Sequence, residues 1–308
     1  MDETHIKNDR NQVRWGYKLM SFVLIQEIFV PIAIVLFSVA LVNLLFPVLQ
    51  ASGVLDGDGV LRAEYQEVFQ NGWFIAGMIV QNLLMCLFFL GAWKYLLHGS
   101  ARSMGLAGRE WLKQLGVGFA IGVVMITIVC GGIYLTGSAQ VMNGSGLHFS
   151  PWLAGYLLVF VFVGFGEEIA FRGYAMGTLR QTEKDWLMVL LPAVLFGIAH
   201  STNANFSLMG CGNIILAGIL LGLLALKSGQ LWLGIGFHIS WNFFQGCVFG
   251  FGVSGISTPS VAVTELTGSS LLNGGAFGPE GSIVATVVLL AAIAATLWWF
   301  RGKQGSGK

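Results

Sequence analysis

Residues 152–179 have the sequence WLAGYLLVFVFVGFGEEIAFRGYAMGTL, and this stretch decides the fold of the chain. Its apolar residues form a continuous run, and a helix that rises 1.5 Å per residue needs about 20 of them to cross a hydrocarbon core about 30 Å thick. Its second half nevertheless carries three charged side chains, those of Glu167, Glu168 and Arg172. The stretch therefore predicts a membrane-spanning helix with ionisable residues at membrane depth.

The rest of the chain has the composition of a membrane protein. Of its 308 residues, 55% are hydrophobic and 10% are charged, whereas a typical soluble domain has about 25% charged residues. Further apolar blocks of similar length predict an all-α, polytopic transmembrane helical bundle of about eight spans. The predicted spans are residues 22–49, 73–97, 115–135, 152–179, 186–200, 207–226, 231–250 and 282–300.

The distribution of basic residues predicts the orientation of the bundle. When the connections alternate between the two sides of the membrane, 15 of the 16 Lys and Arg residues fall on one side, and Arg62 is the exception. The loops assigned to the other side carry acidic residues: Asp56, Asp58, Glu64, Glu67, Glu265 and Glu280. Because Lys and Arg accumulate on the cytoplasmic side, both termini are predicted to be cytoplasmic.

The domain organisation is predicted to be simple. Residues 1–21 form a polar cytoplasmic segment without a signal cleavage site, residues 22–300 form one transmembrane domain, and residues 301–308 form a short cytoplasmic tail. The four cysteines lack CxxC spacing, so neither a disulfide framework nor a zinc knuckle is expected. A net charge of +1 gives no reason to expect nucleic-acid binding. We expect a multi-pass protein of a bacterial inner membrane, with the lipid bilayer as its surroundings.

The charged side chains of residues 152–179 divide into an ion pair and a single carboxylate. Glu168 and Arg172 are spaced i,i+4, so they share a helix face and can offset each other's charge. Glu167 points about 100° away around the helix. Because a charge at membrane depth costs about 2.5–3.5 kcal/mol, the unpaired Glu167 indicates a partner on another helix.

Two other predicted spans supply polar side chains for such a partnership. His200 lies at the end of the fifth span, and His238 and Asn242 share a face of the seventh at i,i+4 spacing. Measured from the inner ends of their spans, Glu167 and His200 lie at about 18 and 21 Å, and His238 and Asn242 at about 10 and 16 Å. All four side chains are therefore expected to meet in a water-containing cavity at mid-membrane.

These residue types together favour hydrolysis of a peptide bond. A carboxylate beside an imidazole in a poorly solvated cavity can activate water as a general base, which is the role expected for Glu167 with His200. The attacked carbonyl develops negative charge on its oxygen, and His238 and Asn242 could supply the donors that stabilise it. The ion pair would hold the fourth helix in register and fix Glu167.

At these residues the sequence resembles the CAAX protease and bacteriocin-processing family of intramembrane peptidases. That family includes the prenyl-protein endoproteases and the abortive-infection proteins. The resemblance covers about residues 150–250, which we take as the catalytic core. The family's three motifs occur in order as Glu167-Glu168 with Arg172, Phe196 with His200, and His238 with Asn242.

The family resemblance implies an all-helical membrane-embedded endopeptidase with assigned roles for these positions. It implies that Glu167 and His200 activate water and that His238 and Asn242 form the oxyanion site. It also implies that the Glu168–Arg172 ion pair supports them. The substrate would be a peptide or a membrane-protein segment, plain or prenylated.

The metal requirement has two alternatives. Glu167, His200 and His238 could form a three-ligand zinc site with an open position. However, familiar zinc motifs such as His-Glu-x-x-His are missing from the sequence. We therefore expect a glutamate-type peptidase without a cofactor, and zinc is the alternative.

Two other function classes also use ionisable residues inside a membrane bundle. A proton-coupled transporter would distribute them along the depth of several helices, whereas here they cluster at one level. An inert immunity-type membrane protein could keep the same motifs for folding alone. Comparing cleavage of a peptide panel by the wild type and by Glu167→Ala would separate these classes from a peptidase.

Overall fold

The computed structural model describes residues 14–55, 62–63, 66–142 and 146–305, and within them almost all regular structure is helical. Eight long helices follow the eight predicted apolar blocks. They are α1 Trp15–Ala51, α2 Gln66–Gly91, α3 Trp111–Leu135, α4 Trp152–Thr182, α5 Asp185–Thr202, α6 Leu208–Ser228, α7 Trp232–Phe243 and α8 Ile283–Gly305. The predicted all-α class is confirmed.

Short elements complete the described part of the chain. A π-helical turn extends α2 over Ala92–Leu96, and another extends α7 over Phe244–Val248. Two strands, β1 (Ala139–Val141) and β2 (Thr264–Leu266), pair as one antiparallel ribbon. The remaining short elements are Ala101–Met104, Ser270–Asn273, Gly275–Phe277 and Pro279–Gly281.

Six of the long helices, α1 to α6, are long and apolar enough to cross a membrane, so the chain is an integral membrane protein. Helix α7 has 12 residues and its π-helical extension adds 5. In α8 the apolar part is Ile283–Trp299. The count of about eight spans and the cytoplasmic location of both termini therefore stay predictions.

Several predicted features lie outside the described residues. Residues 1–13 contain most of the predicted polar amino-terminal segment, and residues 306–308 end the predicted tail. Asp56, Asp58 and Glu64 also lie outside the described residues. The three predicted domain boundaries are not tested by the helices and stay predictions.

Helix α7 packs against α3 with their backbones in contact, which glycines make possible. A Cβ atom on Gly118 would collide with the carbonyl oxygen of Leu233, and one on Gly236 would collide with that of Leu115. Small residues allow this close approach between membrane helices. The glycine-rich run of α3 therefore fixes α7, the helix that carries His238.

Helix α4 lies at the centre of the bundle and is fixed by aromatic side chains. The ring of Phe171 lies edge-on to the rings of Phe22 on α1 and Phe196 on α5, at 5.3 and 5.0 Å between centroids. The hydroxyl groups of Tyr174 and Ser21 are 2.7 Å apart. Because aromatic pairs have preferred geometries, these contacts restrict the rotation and height of α4.

The loop between α7 and α8 is folded onto the helices. Strand β2 pairs with β1, with Ala139 opposite Leu266. The Asn273 side chain donates to the carbonyl oxygens of Ser138 at 2.8 Å and Thr267 at 2.9 Å. This loop, to which the sequence analysis assigned no role, thus forms an ordered cover tied to the end of α3.

The cysteines agree with the sequence analysis. Cys86, Cys130 and Cys247 are buried, Cys211 is partly buried, and all four are free thiols.

Candidate active site

The backbone of α4 changes its hydrogen-bonding pattern at the predicted site. Residues Trp152–Glu167 are α-helical, and Glu168–Ala175 form a π-helix in which all eight residues are buried. Such widened turns are rare and occur frequently at functional sites. The transition falls between Glu167 and Glu168, so the two carboxylates lie at the point where the helix changes.

The predicted ion pair is formed. Arg172 Nη1 lies 2.8 Å from Glu168 Oε1, and each side chain is 1% exposed. The guanidinium carbon also lies 4.4 Å from the centroid of the Phe196 ring. Because a buried charge without a partner is costly, these contacts let both groups stay inside the bundle.

Glu168 has a second partner that the sequence analysis did not find. Its Oε1 lies 3.1 Å from Nδ1 of His238 on α7. A carboxylate paired with Arg172 is only an acceptor, so His238 donates through Nδ1–H and turns Nε2 toward Glu167. Glu168 therefore orients a site imidazole in addition to neutralising Arg172. The i,i+4 spacing revealed the first contact, but no spacing along the chain reveals the second.

Glu167 lies between the two imidazoles. Its Oε2 is 3.5 Å from His238 Nε2 and 4.0 Å from His200 Nε2. The side chain is 20% exposed, and Oε2 itself is buried without a hydrogen-bond partner among the described residues. A buried carboxylate oxygen without a partner is unusual in a folded protein and points to a group that binds there.

The structure fixes His200 through its own helix end. His200 begins the 3₁₀ turn that closes α5, and its Nδ1 lies 2.8 Å from the carbonyl oxygen of Phe196. Because a carbonyl only accepts, Nδ1 carries the proton and a neutral ring has its lone pair on Nε2, facing Glu167. The Phe196 ring lies edge-on to His200 at 4.6 Å between centroids, so this Phe supports the imidazole.

Asn242 lies one helical turn beyond His238 and is 7% exposed. Both residues line the same cavity as Glu167 and His200. The structure thus brings together the four side chains that the sequence analysis assigned to the site.

The cavity has a volume of about 340 Å³ and lies between α4, α5, α6 and α7, with α1 and α2 on its remaining side. Apart from the predicted site residues, its polar lining is Gln26, Gln81, Asn82, Asn203, Asn213, Ser254 and Glu280. Space of this size accommodates part of a peptide together with water.

Glu280 is the main cavity residue that the sequence analysis did not identify. Its Oε2 accepts a hydrogen bond from the backbone N–H of Ser254 at 2.6 Å, and its Oε1 lies 3.2 Å from Ser254 Oγ. Burial raises the pKa of Glu280 above its ordinary value of 4.5, and the hydrogen bonds from Ser254 oppose that shift. A Glu in a long Gly- and Ser-containing loop gives no sequence signal for such a position.

The zinc alternative depends on how the possible metal-ligating side chains are arranged. In the described part of the chain, no group of three or more His, Cys, Asp or Glu side chains is arranged to hold a metal ion. We therefore assign no step to a metal. The expectation of a cofactor-free enzyme stays a prediction, as does the alternative set Glu167, His200 and His238.

Comparison with known proteins identifies the segment that carries this site. Residues 149–244 match the family model of the type II CAAX prenyl endopeptidases, Rce1-like. Residues 149–244 are therefore similar to the Rce1-like endopeptidases. This match confirms the family predicted from the three motifs, and it covers about a third of the 308 residues. No match was found among curated proteins or among solved structures.

The Rce1-like segment begins just before α4 and ends just after α7 begins its π-helical extension. It contains Glu167, His200, His238 and Asn242. The similarity of this segment to the family supports an intramembrane protease in general. The cover formed by the loop between α7 and α8, with Glu280, lies outside the matched segment.

Proposed function

We propose that this protein is an intramembrane endopeptidase that hydrolyses a peptide bond of a membrane-associated or prenylated substrate. Glu167 and His200 activate the attacking water, and His238 and Asn242 form the oxyanion site. The observation that carries the proposal is the position of Glu167 Oε2, which is buried without a hydrogen-bond partner in the described part of the chain and lies 3.5 and 4.0 Å from two imidazole nitrogens beside a cavity. We place the protein in a bacterial inner membrane.

In the first step a water molecule lies between Glu167 and His200. Glu167 Oε2 and His200 Nε2 are 4.0 Å apart, which is too far for a direct hydrogen bond. The two atoms can instead contact the same water molecule. The carboxylate removes one proton, and the lone pair of His200 Nε2 accepts the other hydrogen as a hydrogen bond. The water oxygen then attacks the carbonyl carbon of the scissile peptide bond.

In the second step the carbonyl oxygen becomes negatively charged and needs donors. Asn242 offers its side-chain NH₂ group, and His238 offers Nε2–H when its ring carries both protons. The carboxylate of Glu168, 3.1 Å from His238 Nδ1, balances the charge of such an imidazolium while Glu167 holds the proton taken from water. Glu168 therefore supports the oxyanion site by keeping His238 oriented.

In the last step the C–N bond breaks and the tetrahedral intermediate collapses. The leaving amine receives the proton that Glu167 took from water, so Glu167 returns to its carboxylate form and the products are a carboxylic acid and an amine. All protons are accounted for by water and Glu167, so the cycle closes without another reactant.

The test is hydrolysis by the purified protein in proteoliposomes of a panel of plain and farnesylated peptides, with products identified by mass spectrometry. We expect Glu167→Gln to lower kcat by at least about 100-fold, because an amide cannot remove the proton. The matched control is Glu110→Gln, which changes a 64% exposed carboxylate paired with Lys113 on the surface. Equal rates in the wild type and Glu167→Gln, or no product from either, would contradict the proposal for that panel.

The metal alternative is tested in the same assay. A chelator should leave the rate unchanged if Glu167 acts as the base on its own. Loss of turnover that only added zinc restores would establish the zinc version and make Glu167, His200 and His238 its ligands.

A further inference from the structure

His200 lies at the end of its helix, where the backbone needs support from outside. It begins the 3₁₀ turn His200–Thr202 that closes α5, whereas Glu167 and His238 lie inside α4 and α7. Helix ends leave carbonyl groups without partners in the helix and fray more readily than helix interiors. The position of the His200 imidazole therefore depends on what holds the chain just after it.

The loop between α7 and α8 holds this part of the chain. The backbone N–H of Asn203 donates to the His200 carbonyl oxygen at 3.1 Å, and its side chain donates to the Ser254 carbonyl oxygen at 3.1 Å. Gly255 lies so close to the Ala204 carbonyl oxygen that a Cβ atom on it would collide. Residues 254 and 255 therefore contact the backbone directly after the turn that carries His200.

Ser254 and Gly255 form the tip of a tight turn. Both have left-handed backbones, with φ of 48° and 86°, and Val253 and Ile256 pair on either side of them. The left-handed region suits glycine but is unfavourable for a residue with a Cβ atom, such as Ser. Contacts around the turn must therefore stabilise the conformation of Ser254.

Glu280 supplies such contacts. Its Oε2 accepts from the backbone N–H of Ser254 at 2.6 Å, and its Oε1 lies 3.2 Å from Ser254 Oγ. Its own backbone is fixed, because its carbonyl oxygen accepts from the Asn213 side chain on α6 at 2.7 Å. The Gly255 N–H donates to the Phe277 carbonyl oxygen at 2.9 Å, which gives the turn a second anchor. Glu280 thus fixes the half of the turn that Asn203 contacts.

These contacts form a continuous path from Glu280 to His200. It runs from the Glu280 carboxylate through Ser254 and Asn203 to the carbonyl oxygen of His200. At the end of the path, His200 Nε2 lies 4.0 Å from Glu167 Oε2. A displacement of about 1 Å in a catalytic group can slow a reaction about 100-fold, so the proposed water activation depends on this support.

We propose that Glu280 is a positioning residue for His200. By holding Ser254 against Asn203, it keeps the imidazole at the distance from Glu167 at which both groups contact one water molecule. The proposal rests on the proposed peptidase function and adds a residue outside the segment that matches the family model. Because Glu280 does not touch the reacting atoms in this role, its loss should lower kcat and leave KM unchanged.

The first test is kinetic and uses the peptide panel with the protein in proteoliposomes. Glu280→Ala should lower kcat by at least about tenfold, less than a full 1 Å displacement because the Gly255 anchor remains, with KM within about twofold of the wild type. Glu280→Gln keeps an oxygen that can accept from Ser254, so it should restore most of the lost rate. A raised KM at unchanged kcat would overturn the proposal, since Glu280 would then act by binding substrate.

The matched control is Glu265→Ala. Glu265 lies on β2 in the same loop, and its Oε2 accepts from the Gln140 side chain on β1 at 3.0 Å. It does not line the cavity. The control should keep the wild-type kcat, and a loss equal to that of Glu280→Ala would overturn the proposal, because any damage to the loop would then suffice.

Asn203→Ala breaks the path at its other end and leaves Glu280 in place. It should lower kcat by a similar factor, and adding Glu280→Ala should cause little further loss, because both substitutions remove the same support. Thermal unfolding checks that each variant folds. Fully multiplied losses in the double variant would overturn the path from Glu280 to His200.

The second test observes His200 without turnover. Solid-state NMR of protein with isotope-labelled histidine rings, in proteoliposomes at a pH where the His200 ring is neutral, distinguishes a protonated ring nitrogen from an unprotonated one, and His200→Gln assigns the signals. In the wild type Nδ1 should be protonated, because it faces the Phe196 carbonyl oxygen at 2.8 Å. In Glu280→Ala and in Asn203→Ala the two His200 signals should broaden or move toward each other, whereas those of His238, held by Glu168, should stay.

The two tests separate the two proposals. A wild type that cleaves no peptide contradicts the peptidase function, and the His200 signals still decide the positioning role. Unchanged His200 signals in both folded variants would overturn that role, whatever the rates.

Discussion

Helices α1 and α4 are the two longest candidate spans, and they differ in how much of their surface is buried by other parts of the protein. In the most apolar part of α1, 6% of the residues are buried inside the protein, against 50% for α4. Charged residues occur at the site in α4, where Arg172 and His238 contact Glu168. Helix α1 instead presents large apolar side chains such as Leu36, which is 65% exposed. The part of α1 that follows Glu27 has no charged residue and can face lipid, whereas the central helix α4 can hold charges because protein groups replace water.

Removing the cation from α4 should have the largest effect on stability. Arg172→Met leaves Glu168 buried without its charge partner, so we expect the free energy of unfolding to fall by about 3–5 kcal/mol. Denaturation in detergent measures this free energy of unfolding. Lys113→Met, in the exposed pair with Glu110, is the control and should change it by at most about 1 kcal/mol. If both variants lost a similar free energy of unfolding, burial would not explain the contribution of the Glu168–Arg172 pair to stability.

A smaller effect is expected where helices touch without charges. Gly118→Ala places a Cβ against the carbonyl oxygen of Leu233, whereas Gly116→Ala, one half-turn away on the exposed side of α3, meets nothing within 4 Å. We expect Gly118→Ala to lower the free energy of unfolding by about 1–3 kcal/mol and Gly116→Ala to be nearly neutral. Thermal unfolding in detergent would contradict this if both variants behaved alike.

The stability of the loop between α7 and α8 should depend on pH, because this loop carries the buried carboxyl group of Glu280. Burial raises the pKa of Glu280 above 4.5, so the folded protein holds this proton at pH values where the unfolded chain has released it. Stability from this group is present at pH below the unfolded value and declines as pH rises through the raised folded value.

Melting temperatures should be measured as the pH rises from the unfolded pKa of Glu280 through its raised folded pKa. Over this range they should decline less steeply in Glu280→Gln than in the wild type. Glu265→Gln, which changes an exposed carboxylate on β2, should keep the wild-type profile. Identical profiles for all three proteins would contradict the buried state of Glu280.

The smallest effect is expected on the lipid-facing helix. Leu36→Ala on α1 removes a 65% exposed side chain from few protein contacts, so the free energy of unfolding should change by about 0.5 kcal/mol or less. Phe89→Ala on α2, which removes a fully buried ring, should cost about 3–5 kcal/mol in the same denaturation assay. A large loss from Leu36→Ala would show that α1 packs against protein on that side.

Much of the fold could be predicted because hydrophobic length acts locally. A run of about 20 apolar residues must become a helix in lipid, where each backbone polar group needs an internal partner. The eight apolar blocks accordingly match eight helices. Helix ends were less predictable: α7 ends its α-helical part at Phe243, where a π-helical turn takes over. Such changes depend on packing against neighbours, which composition does not encode.

The contacts of the candidate site could likewise be predicted only in part. The Glu168–Arg172 ion pair could be predicted, since i,i+4 spacing makes the two residues neighbours on one helix, and so could the lack of a partner for Glu167 on that helix. The contact between Glu168 and His238 became visible only in the folded bundle, as did the entry of Glu280 into the cavity from a loop more than 100 residues after Glu167. The physical reason is that contacts within a helix follow from its repeat, whereas contacts between elements depend on how the whole bundle packs.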